Sequence, residues 1–202
     1  MATTRRGPKR SRSPVKTSTL LKNVDQLSIG KPQTDADVAT FPISFEKDPV
    51  AFVIGGAVSA FELSSLYESP RKTLTLRLPQ IWEDGLVEWE AGLVAYVMKH
   101  RTTFFGAAAS EADVTGGYTS FTKKTCEYPR NINLKVNTTG FYAVRYWDAV
   151  RESIPPLASH IQARFNVRCV LRAIWVKDLT WGCVVDGTDL QLLEQASAEC
   201  PF

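Results

Sequence analysis

The chain is poor in the residues that usually carry reactions: 202 residues include two histidines and four cysteines. His100 lies among cations in Met98-Lys99-His100-Arg101, and His160 follows the Pro155-Pro156 pair. Neither belongs to a zinc-protease or nucleophile-elbow pattern, so both read as surface or internally satisfied side chains. Cys126, Cys169, Cys183 and Cys200 are widely spaced, form no CxxC pair and have no histidine nearby. That argues against zinc and for free thiols in a reducing, intracellular setting. The glycine pairs Gly55-Gly56 and Gly116-Gly117 lack the spacing of a phosphate-cradling loop and read as turns or bulges. No catalytic site, metal site or cofactor is expected, and the chain reads as a non-enzyme.

Long apolar runs are also lacking. The best candidates, near Val50 to Ala60 and Ala91 to Met98, are too short and too interrupted to span a bilayer, so no membrane partner is expected. The basic amino terminus is followed by no apolar signal segment, because Thr17, Ser18, Lys22, Asn23 and Asp25 break up the leucines.

The last absence is of acid at one end. The first 22 residues contain no Asp or Glu but seven cations, Arg5, Arg6, Lys9, Arg10, Arg12, Lys16 and Lys22. The whole chain holds 24 basic and 21 acidic residues; with those seven set aside, 17 basic residues face 21 acidic ones, a net −4. A polycation on an acidic body suits binding a polyanion without the body adhering to it. The seven cations are the candidate RNA-binding residues, and their contacts are expected to be sequence-blind and salt-sensitive.

What is present is a β-rich body. Residues 1 to 40, rich in Ser, Thr, Pro and charge, have too little apolar surface to offset the entropy of ordering and read as a disordered arm and linker. The folded domain is expected over residues 41 to 202. Thr73 to Leu78 and Asn131 to Asn137 alternate apolar and polar residues strictly, the signature of half-buried strands. Phe41 to Phe45, Val50 to Ile54, Val114 to Thr122, Phe141 to Tyr146, Val167 to Val176 and Trp181 to Val185 are further strand candidates. Residues 86 to 98 fit both periods and are assigned to a strand, with Glu88 and Glu90 on its solvated face. Helices are expected over Pro156 to Phe165 and from a Thr188 cap through Ala196. The five tryptophans read mainly as core and subunit-contact residues, and the strand count points to a sandwich or barrel.

A basic stretch from Arg5-Arg6 through Lys16, a polar linker and a β-rich domain together resemble the organisation of coat proteins of small non-enveloped plant RNA viruses. Size and layout are similar to the ourmiavirus group and, more distantly, to satellite and bromovirus-like coat proteins. The resemblance implies an antiparallel eight-stranded jelly-roll sandwich with short connecting helices and a disordered basic arm. It further implies self-association into a homo-oligomeric shell that packages single-stranded RNA without sequence preference, located in the virion and in host cytoplasm or nucleus. Two other readings compete: a regulatory RNA-binding protein such as a movement protein or silencing suppressor, and a nuclear chromatin-associated protein.

Overall fold

The computed structural model describes residues 24 to 65 and 68 to 195. Its strands, in chain order, are β1 (Leu27–Ile29), β2 (Gln33–Asp35), β3 (Val38–Phe45), β4 (Asp48–Ser59), β5 (Arg71–Arg77), β6 (Tyr118–Thr119), β7 (Thr122–Lys123), β8 (Asn131–Asn137), β9 (Arg145–Trp147), β10 (Ser153–Ile154), β11 (Arg164–Lys177) and β12 (Thr180–Glu194). Three helices, α1 (Gln80–Lys99), α2 (Arg101–Phe105) and α3 (Glu111–Gly116), lie between β5 and β6. None of the described helices is long and apolar enough to cross a membrane.

Five strands close a ring. β4 pairs with β5, β5 with β8, β8 with β12, β12 with β11, and β11 again with β4. All of these pairings are antiparallel except β8 with β12. In chain order the ring runs first, second, third, fifth, fourth, a Greek-key barrel of OB type. The interior is filled by inward side chains of those strands: Ile54, Leu74, Leu76, Ile132, Leu134, Phe165, Val167, Leu171 and Leu190 are all fully buried. β4 bends to reach both neighbours at Gly55-Gly56, where its register with β11 shifts between Phe165 and Val167. Gly56 takes φ +70°, a conformation that side-chain-bearing residues adopt only under strain.

The mainly β expectation holds, and β8 matches its sequence-derived bounds. The eight-stranded antiparallel jelly roll does not: twelve strands form among the described residues, with parallel pairings of β12 to β6, β8 and β9. Residues 27 to 40, read as linker, already pair within the sheet through β1, β2 and the start of β3.

Residues 86 to 98 are helix rather than strand. Leu86, Trp89, Leu93 and Val97 form one buried stripe of α1, while Val87, Ala91 and Ala95 face outward. Of the two periods this segment satisfies, burial selects 3.6, because the stripe closes one end of the barrel through Trp89 against Phe52 and Phe121. Glu88 and Glu90 consequently do not share a solvated face: Glu88 is exposed and Glu90 is buried.

Within 114 to 122, residues 114 to 116 belong to α3, which Ser110 and Asp113 cap reciprocally; only Tyr118–Thr119 and the following Thr122–Lys123 are strand. Phe141 and Tyr142 lie in a turn after Gly140, and extended structure resumes at Arg145. No helix covers Pro156 to Phe165, because Phe165 is drawn into β11 and the preceding loop is tied to Ser59 and Glu62. Nor does Thr188 cap a helix: β12 continues to Glu194, since Leu190 pairs with Val167 on one side and Tyr146 on the other.

Candidate nucleic-acid interface

The outer face of the barrel carries three depressions of about 410, 330 and 360 Å³, each lined in part by β11 and β12. The first is lined by Val53, Trp147, Arg151, Asn166, Arg168, Asp189 and Gln191. The second is lined by Thr40, Arg71, Asn137, Tyr142, Arg172, Ala173, Val184 and Asp186. The third holds Lys123, Lys135, Asn133, Ser120 and Trp175, and shares Arg71 and Val184 with the second, so these two are continuous.

Two β-bulges aim the charged side chains. The register between β11 and β12 shifts between Arg168 and Cys169, leaving Thr188 as the extra residue of β12. With strict alternation Asp186 and Asp189 would point to opposite faces; the bulge brings both to the outer face. A second shift between Leu171 and Ala173 makes Arg172 the extra residue of β11, also on that face.

Each aspartate gathers two arginines. Arg71 Nη2 donates to Asp186 Oδ1 at 2.9 Å and Arg172 Nε to Asp186 Oδ2 at 2.7 Å. Asp189 Oδ1 lies 2.6 Å from Arg145 Nη2, and its Oδ2 lies 3.8 Å from Arg168 Nη1. The carboxylates are mostly covered, 12% and 14% exposed, while the four arginines remain 34% to 62% exposed. A carboxylate buried with two cations is electrically overcompensated, so each trio presents net positive charge and free N–H edges to solvent.

Aromatic rings stand beside the trios. The Arg145 guanidinium carbon lies 5.7 Å from the Trp147 ring centre, and that of Arg172 lies 5.9 Å from Tyr142, both within cation–π range. Trp147 Nε1 donates to Asp189 Oδ1 at 3.1 Å. Tyr142 and its neighbour Phe141 pack edge to face at 5.1 Å while remaining 69% and 95% exposed. Trp175 packs its indole against Gly182, its partner across the hairpin. A Cβ at Gly182 would sit 3.0 Å from the indole and 2.7 Å from the Thr119 carbonyl oxygen, so only glycine fits.

No protein-family model matches the chain, and no curated protein sequence matches it. Solved structures do. A single-stranded DNA-binding protein from bacteriophage Enc34 in complex with ssDNA aligns at TM-score 0.51 and 9% identity, covering 84% of this chain and 97% of that one. The same phage protein without DNA gives 0.50 and 13%, covering 86% and 94%. The single-stranded DNA-binding protein gp2.5 of bacteriophage T7 gives 0.50 and 11%, covering 74% and 89%. The fold is similar to that of phage single-stranded DNA-binding proteins.

This likeness corrects the coat-protein resemblance. The shell domain of those coat proteins is a jelly roll, whereas this chain closes an OB-type ring whose structural neighbours are DNA-binding proteins. The expected packaging of RNA inside a homo-oligomeric shell, with its place in a virion, falls with that resemblance. A basic arm on a β domain is compatible with either architecture, and charge layout alone does not separate them.

The seven arm residues Arg5, Arg6, Lys9, Arg10, Arg12, Lys16 and Lys22 lie outside the described residues. Sequence reasoning missed the groove residues Arg71, Arg145, Arg168, Arg172, Asp186 and Asp189. The available signal was the polar positions Arg164, Asn166 and Arg168 at period two within an apolar strand. Among the tryptophans, Trp89 and Trp181 are core, as expected, but Trp147 and Trp175 are half-buried and line the groove.

Buried polar groups support this face from beneath. Glu90 accepts from the hydroxyls of Tyr118 at 2.7 Å and of Ser120 and Thr122 at 2.5 Å, fixing the floor of the third depression. Burial, with the Cys183 and Glu90 charges adding, holds the Tyr118 phenol well above its ordinary range. Behind the first depression, His160 Nε2 meets the Tyr146 hydroxyl at 2.8 Å and Nδ1 lies 3.4 Å from Glu62. Burial lowers the His160 pKa against the opposing pull of Glu62, and burial pushes Tyr146 up to about 12. The arrangement fits a neutral imidazole that donates from Nδ1 and accepts at Nε2.

Proposed function

We propose that this protein binds single-stranded nucleic acid along the outer face of its barrel, with little sequence preference and without bond chemistry. The observation that carries the reading is the succession of arginine trios and exposed or half-buried aromatic rings along β11 and β12 on one face. Single-strand binders combine a cationic track for the backbone with rings on which bases stack, because every base offers a π-face. From Gly182, beside Trp175, to Gln191, beside Trp147, β12 advances nine residues. At about 3.3 Å per residue that is about 30 Å, room for several nucleotides. The likeness to phage proteins described as binding single-stranded DNA supports the same ligand class here. The basic arm adds a second contact that follows phosphates without fixed geometry.

Fluorescence anisotropy with labelled oligothymidylate of about 16 nucleotides, oligouridylate of equal length and a duplex tests this reading. The single strands should bind more tightly than the duplex. Equal or tighter binding of the duplex would refute base stacking in the groove.

A further inference from the structure

We propose that Asp186 and Asp189 organise two equivalent nucleotide-reading modules and act as positioning residues for the bases; this rests on the single-strand groove reading. The modules repeat the same parts. Asp189 holds Arg145, which overlies Trp147, and also accepts from the Trp147 indole N–H and the Thr188 hydroxyl. Asp186 holds Arg172, which overlies Tyr142. In each, a second arginine on the carboxylate's other oxygen, Arg168 or Arg71, completes the trio.

The division of labour follows from the geometry. One guanidinium per module is held within cation–π range of a ring by the carboxylate, so the two flat groups stand together as a platform on which a base can stack. The second arginine keeps most of its N–H donors free for the adjoining phosphate. Arg145 is 62% exposed and would otherwise sample many rotamers; a 2.6 Å ion pair to a largely covered carboxylate on a central strand fixes it. The bulge at Thr188 makes the repeat possible by turning Asp189 to the same face as Asp186.

The sign of one measurement separates positioning from simple charge compensation. Asp→Asn adds one uncompensated positive charge to its module. If the aspartates only offset charge, every polyanion should bind more tightly, by about fivefold per substitution at 0.1 M salt, taking a slope of 0.7 per released counterion from a 1 M reference. If they hold the stack, base-bearing strands should bind more weakly although charge has been added.

The experiment compares full-length protein with its D186N, D189N, R145K and R172K variants. The ligands are an oligothymidylate and an equally long abasic oligomer of tetrahydrofuran spacers; thermal melting of each variant is recorded alongside. In D186N and D189N the loss of one stacked base, about 5- to 150-fold, is set against the gain of about fivefold from charge. Oligothymidylate should therefore bind up to about 30-fold more weakly while the abasic strand gains about fivefold, and the ratio of the two affinities should fall about 5- to 150-fold. R145K and R172K, which keep charge but lose the planar fork, should weaken oligothymidylate alone. Tighter binding of both ligands by the Asn variants would overturn the proposal in favour of compensation. Equal weakening of both ligands with a lowered melting temperature would overturn it in favour of a structural role. Strong wild-type binding that no variant alters would instead remove the groove reading itself.

Discussion

Replacing all seven arm cations by glutamine in the full-length chain separates the arm from the groove. Arg71, Lys123, Lys135, Arg151, Arg168 and Arg172 line the three depressions, and Arg145 joins them through Asp189. Asp186 and Asp189 offset two of these seven, leaving five uncompensated charges. Each phosphate neutralised on a single strand contributes about −0.7 to the slope of log K against log salt, giving about −3.5 for the groove and about −5 for the arm. The intact chain should therefore show a slope of about −8 at full engagement, and the substituted chain about −3.5. Between 50 and 200 mM salt those slopes correspond to affinity losses of about 10⁵-fold and about 10²-fold. Anisotropy titrations of oligothymidylate over that salt range measure both. A substituted chain with no residual binding at the low end, or with a slope near zero, would refute the groove as a phosphate track. A slope unchanged by the substitution would show that the arm contributes no contacts.

Trp147→Ala removes a stacking surface without changing charge, so oligothymidylate affinity should fall about 5- to 150-fold, the range of one stacked base, with the salt slope unchanged; a changed slope would contradict this. Leu134 is fully buried in the barrel, and Leu134→Ala should cost about 2–5 kcal/mol in urea unfolding; a loss below about 1 kcal/mol would mean the barrel interior is not packed as described. His160 is held neutral by burial when folded but takes up a proton near its ordinary value of 6.5 when unfolded. The unfolded chain therefore binds more protons as pH falls, so this contribution is fully present above about pH 6.5 and is lost progressively below it. Thermal melts from about pH 8 to 5 should show that decline, flattened in His160→Gln; an unchanged profile in the variant would assign the decline elsewhere.

Some of the structure was legible without coordinates because local chemistry decides it. Asn131 to Asn137 and Thr73 to Leu78 alternate so strictly that only a half-buried strand satisfies both their faces, and they became neighbours in the ring as β8 and β5. The separation of seven arm cations from an acidic body is likewise a property of the sequence alone, and it pointed to a polyanionic partner. It did not discriminate a shell subunit from a strand-binding barrel, since charge layout carries no information about topology.

What the tertiary structure decided lies where two local patterns compete or where alternation is interrupted. Residues 86 to 98 satisfy both a strand and a helix, and the open end of a barrel, needing a wide apolar stripe to close it, selected the helix. The groove depends on interruptions: a residue added at Thr188 and another at Arg172 reverse the parity of β12 and β11 and bring Asp186, Asp189 and Arg172 to one face. A period-two reading places Asp186 and Asp189 on opposite faces. Which face a charged residue takes after a bulge is set by the partner strand's register, and that exists only once the chain has folded.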